Sequence, residues 1–230
     1  MDDFSAQLAT LAQASDARQL QLLAALEPQT AAGRPVVWAY WQQRRAQDIP
    51  LSFVDGRLYE YLITDDDPAL MATLTKTYPQ GLVPLVSARG LDYSPLQHLL
   101  VRHQFEEADR VTRKYLWELA GPAAVQRQWV YFTEVQQFPA PDLHTMDRLW
   151  WMHSEGKFGF RVQRQLWLNL GRDWDKLWPR IGWRREGTWT RYPKGFTWDL
   201  TAPAGHLPLT NQQRGVRLLE ALLNHPAWTD

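Results

Sequence analysis

The sequence predicts an all-α protein in two parts, and three observations carry that prediction. Apolar residues recur at helical spacing in segment after segment, as in Phe105, Ala108, Val111, Thr112, Tyr115 and Leu119. Capping residues stand where such segments begin, and Gly or Pro where they stop. Pro79, Gly81, Pro84 and Gly90 fall together in one stretch with the composition of a boundary. Residues 1–80 therefore read as an N-terminal helical bundle, 81–90 as a linker, and 91–230 as a larger helical domain. No internal repeat is evident.

In the first part, Leu8, Leu11, Leu20, Leu22, Leu23 and Leu26 sit among the helix formers Ala and Gln. Ser15-Asp16 reads as a break with a new N-cap, and Pro28 and Gly33 as the end of that pair. A third helix follows Pro35 and buries Val36, Val37, Ala39, Tyr40 and Trp41. Asp55-Gly56 reads as a turn, and Leu58, Tyr59, Leu62 and Ile63 return to helical spacing. Asp65-Asp66-Asp67-Pro68 opens a last helix, because acids favour the positive end of the helix dipole and Pro its first turn. The triplet lacks the glycine and later glutamate of a calcium loop.

In the second part, Ser94 reads as a cap with Pro95 at the first helical position. A helix from about Gln104 to Leu119 ends at Gly121-Pro122. Trp129 to Val135 is aromatic without clear periodicity, and Phe138 to Pro141 reads as extended. Asp142 is expected to cap a helix reaching about His153, Phe160 to Leu170 to form another, and Asp173 to cap a short one ending before Pro179. Residues 180–208 are broken repeatedly by Gly and Pro and read as irregular. Thr210-Asn211-Gln212-Gln213 has the form of a capping box for a final helix through Leu218, Leu219, Leu222 and Leu223.

Composition narrows the function classes. The 230 residues carry no net charge, which disfavours a general nucleic-acid binder. The balance is uneven: residues 1–90 hold seven Lys/Arg against ten Asp/Glu, and residues 157–194 hold ten against three. With no cysteine there are no disulfides, thiolate metal sites or thiol nucleophiles. The acidic start Met1-Asp2-Asp3-Phe4 resembles neither a signal nor a transit peptide. Apolar runs are too short to span a bilayer, so a soluble, cytoplasmic protein is expected.

Motifs for catalysis are lacking. The six His have no zinc-helix spacing, and there is no phosphate loop or nucleophile elbow. Asp109 and Arg113, at i,i+4, read as a helix salt bridge worth about 0.3–0.5 kcal/mol. Tryptophan is the outlier: 13 residues, 11 of them beyond residue 90, most of them expected to be core. From Trp183 to Trp198, aromatics alternate with cations and include Trp189, Arg191, Tyr192 and Phe196. Such a segment can cover a flat π-system while its basic groups meet peripheral anions. Single-stranded nucleic acid would use similar chemistry. Arg214 and Arg217 follow at i,i+3, with Gly215 between them, near an expected helix N-terminus that itself favours anions. A solvated basic face is the alternative for that pair.

These runs carry a family resemblance: Tyr93-Ser94-Pro95-Leu96-Gln97-His98-Leu99-Leu100, Phe105 to Thr112, Asp142 to Trp150, Gly156-Lys157-Phe158-Gly159-Phe160 and Ile181-Gly182-Trp183. In this order they resemble the cyanobacterial and chloroplast genomes-uncoupled (Gun-four) family, which binds porphyrins and stimulates magnesium chelatase. The match spans most of residues 91–230, and the N-terminal segment resembles the extra bundle of cyanobacterial members. The resemblance implies a cup-shaped helical domain with a mobile ligand-covering loop. It implies protoporphyrin IX and magnesium-protoporphyrin IX as ligands, with no cofactor required and no catalysis. It also implies the large porphyrin-binding subunit of magnesium chelatase as partner, and peripheral association with thylakoid membranes. Carried onto this chain, Arg214 and Arg217 pair with the ligand, Trp189 and Phe196 belong to the covering loop, and Tyr192 falls where some relatives carry Trp. Asn211 orients the ligand centre or a magnesium-bound water, and Phe132 and Arg191 are wall residues. The competing classes are an enzyme acting on a tetrapyrrole and a nucleic-acid or protein interaction module.

Overall fold

The computed structural model describes residues 2–26, 30, 33–47, 49–63, 68–210 and 216–229. Twelve α-helices and one two-residue-per-strand hairpin are present among them, so the all-α reading holds. The chain divides into two compact units, with the boundary between Leu82 and Val83.

The first unit contains α1 (Asp2–Gln13), α2 (Asp16–Ala25), α3 (Gly33–Ala46), α4 (Phe53–Ile63) and α5 (Pro68–Thr77). Ser15 occupies the N-cap of α2, as its sequence position suggests. Leu11, Leu23, Val36, Val37, Tyr40, Trp41, Leu58 and Leu62 form the core. Asp55-Gly56 is not a turn, because helix α4 starts two residues earlier and carries both inside. Burial of the Asp55 carboxylate explains this. It accepts two hydrogen bonds from Arg44 (2.9 and 2.7 Å) and one each from Arg45 (2.6 Å) and the Ser52 amide (2.9 Å). Burial alone would raise its pKa, but the Arg44 and Ser52 hydrogen bonds and the Arg45 charge hold it below the usual carboxylate range. The Asp65–Asp67 triplet and Pro28 lie outside the described residues.

The second unit contains α6 (Ser94–Val101), α7 (Phe105–Ala120), α8 (Pro122–Arg127), α9 (Ala140–Met152), α10 (Phe160–Asn169), α11 (Trp174–Arg180) and α12 (Arg217–Leu223). Short 3-10 turns span Val135–Gln137 and Pro226–Trp228. Phe105, Trp150 and Phe158 make the aromatic centre: Phe105 stacks on Trp150 at 6.0 Å and meets Phe158 edge-on at 5.4 Å. The Trp150 indole donates to Thr112 Oγ1 at 2.9 Å, which satisfies its buried N–H.

Several helix ends differ from the sequence expectation. Tyr93, not Ser94, is the N-cap of α6, and the Asp92 carboxylate accepts from the Ser94 amide. Asp142 lies inside the first turn of α9, behind the N-cap Pro139. Its buried carboxylate instead accepts from Ser87 Oγ (2.5 Å), the Ala88 amide (2.9 Å) and the Tyr93 hydroxyl (2.8 Å), so segment 87–93 is tied to this unit. Asp173 does cap α11, accepting from the Lys176 amide at 3.2 Å. That helix runs through Pro179 to Arg180, since a proline in a last turn forfeits only one backbone bond. Pro122 opens the short α8 after α7 has ended. The Thr210–Gln213 box lies largely outside the described residues, and α12 is described from Arg217.

Removing one partner of a buried ion pair leaves an uncompensated charge. Asp55→Ala should therefore destabilise the protein by about 3–5 kcal/mol. Urea denaturation of the full chain checks this, and a loss below about 1 kcal/mol contradicts the assigned role.

Candidate functional site

The site is built on α7. The buried face of this helix reads Phe105, Ala108, Asp109, Thr112, Tyr115, Leu116 and Leu119. Asp109 is therefore a buried carboxylate inside an apolar stripe, and the i,i+4 salt bridge to Arg113 that the spacing predicts forms from this buried position. It is fully buried. Its Oδ1 accepts the Leu209 amide at 2.6 Å across 100 residues of sequence. Its Oδ2 lies 3.2 Å from Arg113 Nε, an ion pair without hydrogen-bond alignment among the described residues. Burial pushes the carboxyl up to about 7, against the Arg113 charge and the Leu209 amide.

Two cavities adjoin this point. The larger, about 1010 Å³, is lined by Arg113, Trp189, Arg191, Tyr192, Phe196 and Leu209 among others. It lies at the upper end of the roughly 300–1,000 Å³ usual for small-molecule sites. The smaller, about 120 Å³, is lined by Arg113, Trp117, Trp129, Tyr131, Phe132 and Arg217 among others. Arg113 and Thr210 line both. Among the described lining residues there are three guanidinium groups and no carboxylate.

The wall of the larger cavity is irregular, as expected, except for one short hairpin. Strands β1 (Arg184–Arg185) and β2 (Thr188–Trp189) pair antiparallel around Glu186 and Gly187. Both turn residues have positive φ (48° and 78°), as a two-residue type I′ hairpin demands. A short hairpin is easily missed because its strands have too few residues to show alternation. Beneath it, Trp167, Trp174, Trp178 and Trp183 stack in sequence at centroid distances of 4.7, 5.0 and 5.7 Å. Trp178 also supports Trp189 at 5.4 Å, and Trp189 remains 45% exposed. Most of the tryptophans are thus scaffold, while Trp189 offers a face to the cavity.

His206 secures the far side of this wall. Its Nδ1 lies 2.6 Å from the Ile181 carbonyl and its Nε2 accepts the Thr197 amide at 3.2 Å, an arrangement that requires the neutral ring. Burial lowers its pKa accordingly. Its ring also packs on Phe196 at 5.4 Å. Gln163 donates from α10 to the Gly205 and Pro208 carbonyls at 3.0 and 2.9 Å. Gly205 has φ +79°, and a Cβ there would stand 2.8 Å from Leu166 Cδ1, so only glycine fits.

The smaller cavity takes its aromatics from the segment after α8. Glu134 pairs with Arg127 and accepts the Tyr131 amide at 2.8 Å. Arg127 lies over the rings of Trp129 and Tyr131 at 5.2 and 4.5 Å. The stretch lacks periodicity because it is a clamped turn.

Among the residues singled out from sequence, Trp189, Arg191, Tyr192 and Phe196 line the larger cavity. Phe196 is mostly buried in the wall. Phe132 and Arg217 line the smaller one, with the guanidinium 5.4 Å from the ring. Arg214 and Asn211 lie outside the described residues. Arg113, Trp117, Trp129 and Tyr131 were not anticipated. For Arg113 the available signal was Asp109, since a carboxylate within an apolar stripe needs a nearby cation.

Fold and site together define a helical domain with paired aromatic cavities edged by arginine. The profile described as GUN4-like matches residues 86–226, and one described as an ARM-like repeat domain, GUN4-N terminal, matches residues 2–79. A Ycf53-like protein of Synechocystis is 51% identical over 94% of this chain and 92% of its own. The solved structure of GUN4 from Chlamydomonas reinhardtii is 43% identical, with a TM-score of 0.60 over 64% of this chain and 95% of its own. The chloroplastic tetrapyrrole-binding protein of Arabidopsis thaliana is 38% identical over 59% of this chain and 55% of its own. The chain belongs to the GUN4 family. Its N-terminal unit carries a repeat signature that no visible sequence periodicity announces.

The Asp109 environment generates a pH prediction. The folded carboxyl titrates near 7 and the unfolded one near 3.8, so between these values the folded chain keeps a proton that the unfolded chain has released. Stability falls as pH rises through that window, by up to about 1.4 kcal/mol per pH unit from this group, and levels off above it. Asp109→Asn mimics the protonated acid and should lack this contribution. Thermal melts from pH 5 to 8 should show the variant gaining on wild type up to about pH 7 and then holding level; parallel curves contradict the assignment.

Proposed function

We propose that this protein binds a flat, anionic tetrapyrrole and presents it without catalysing its conversion. Protoporphyrin IX and its magnesium form are the ligands in this reading, and the large subunit of magnesium chelatase is the partner whose enzyme is stimulated. The supporting observation is the pair of adjoining cavities walled by aromatic rings and edged by Arg113, Arg191 and Arg217, with no carboxylate among the described lining residues. The Arabidopsis thaliana relative is named a tetrapyrrole-binding protein, which agrees with that chemistry.

The chain's residues divide the work. Trp189, Tyr192 and Phe132, all substantially exposed, offer ring faces and edges to the macrocycle. The arginines meet peripheral carboxylates, with Arg214 and Asn211 as sequence-based additions to that set. Covering roughly 300 Å² of apolar ligand surface gives about 7 kcal/mol before association costs. Rim ion pairs add about 0–1 kcal/mol each. No helix of the described residues is long and apolar enough to cross a membrane, so membrane contact in this reading is peripheral.

Titration with protoporphyrin IX should give a saturable change in visible absorbance and quench tryptophan fluorescence, with the ligand recovered unchanged. Trp189→Ala should weaken binding about tenfold, and Arg214→Ala/Arg217→Ala by a similar factor. Wild-type affinity in both variants would remove the site, and a turned-over product would favour an enzyme.

A further inference from the structure

Arg113 lies where the two cavities share a wall. One side of its guanidinium faces Asp109, which is fully buried and tied to the Leu209 amide, so the arginine is held from behind. In front, its Nη2 donates to the Tyr192 hydroxyl oxygen at 2.8 Å, and its guanidinium carbon lies 4.7 Å from the Tyr192 ring centroid. The Arg113 side chain is 27% exposed, so its charge is partly withdrawn from water. Tyr192, 44% exposed, comes from the segment just beyond the hairpin. A neutral phenol oxygen is a modest acceptor for a permanent cation, whereas a carboxylate forms a hydrogen bond roughly twice as strong. Arg217, the other guanidinium among the described lining residues of the smaller cavity, faces the Phe132 ring, and Arg191 is exposed. Among the described lining residues, Arg113 is therefore the cation with a buried counter-charge behind it and a replaceable partner in front.

We propose that Arg113 anchors a carboxylate of the bound ligand, and that the Tyr192 hydroxyl occupies this hydrogen-bonding position until the carboxylate takes it. The exchange transfers one hydrogen bond from phenol to carboxylate and frees the Tyr192 ring to lie against the macrocycle. Binding and wall rearrangement are then a single event, with Arg113 as its pivot. The ligand is specified further, since the macrocycle must bear a free peripheral carboxylate that can reach α7. This inference rests on the tetrapyrrole reading.

The test compares protoporphyrin IX with its dimethyl ester, titrated by absorbance against the full chain as wild type, Arg113→Gln and Tyr192→Phe. Wild type should prefer the diacid about tenfold, the scale of one hydrogen bond to a charged group. Arg113→Gln should reduce that preference to within about twofold, mainly by weakening the diacid. Tyr192→Phe keeps the ring but removes the competing acceptor. It should retain the preference and bind the diacid about two- to threefold tighter. An undiminished diacid preference in Arg113→Gln overturns the anchor, and so does weaker diacid binding by Tyr192→Phe. If Arg113→Gln fails to fold by circular dichroism, the exposed Tyr192→Phe variant decides alone. Wild type binding neither macrocycle overturns the tetrapyrrole reading itself, an outcome distinct from the loss of the anchor.

Discussion

Asp109 is a carboxylate with no access to water, and the geometry of the site depends on how it is accommodated. One oxygen holds the Leu209 amide, pinning the segment after Gly205 against α7. The other lies 3.2 Å from Arg113 Nε, an ion pair beside the guanidinium shared by both cavities. Taking a carboxylate out of water is costly, and its raised pKa measures that cost. Such a group persists where it positions something, and here it positions a cation at the junction of two aromatic chambers.

The rest of the C-terminal unit supports that junction. The four stacked tryptophans provide a rigid apolar floor from α10 through α11 to the hairpin, and Trp189 stands on it. His206 and Gln163 fasten the other edge through backbone amides and carbonyls. Aromatic stacking supplies area and stiffness, while the buried polar groups supply register. The rings left exposed at this place, Tyr131, Phe132, Trp189 and Tyr192, are the ones that a flat ligand would cover.

Much of this was legible in the sequence where a local rule acted alone. The apolar stripe of α7 and the Asp173 cap of α11 follow from spacing and capping chemistry. The motif order identified the family, which the profiles and relatives confirm. The alternation of rings and cations from Trp183 to Trp198 singled out one cavity wall. Acidic residues were misread because their partners are distant in sequence. Asp142 has the local signature of a cap but binds Ser87 and Tyr93, and Asp55 has that of a turn but binds Arg44 and Arg45. Arg113 was read only as the i,i+4 partner of Asp109, because its second partner, Tyr192, lies 79 residues away. A hairpin of two-residue strands falls below any periodicity test.

In the proposed function a carboxylate-bearing tetrapyrrole occupies the cavities around Arg113. A crystal structure of the protein with protoporphyrin IX tests it most directly. The macrocycle should lie against Trp189 and Tyr192, with a ligand carboxylate within about 3 Å of the Arg113 guanidinium and the Tyr192 hydroxyl moved off that group. A macrocycle bound elsewhere, or one bound here with the Arg113–Tyr192 hydrogen bond intact, would contradict it.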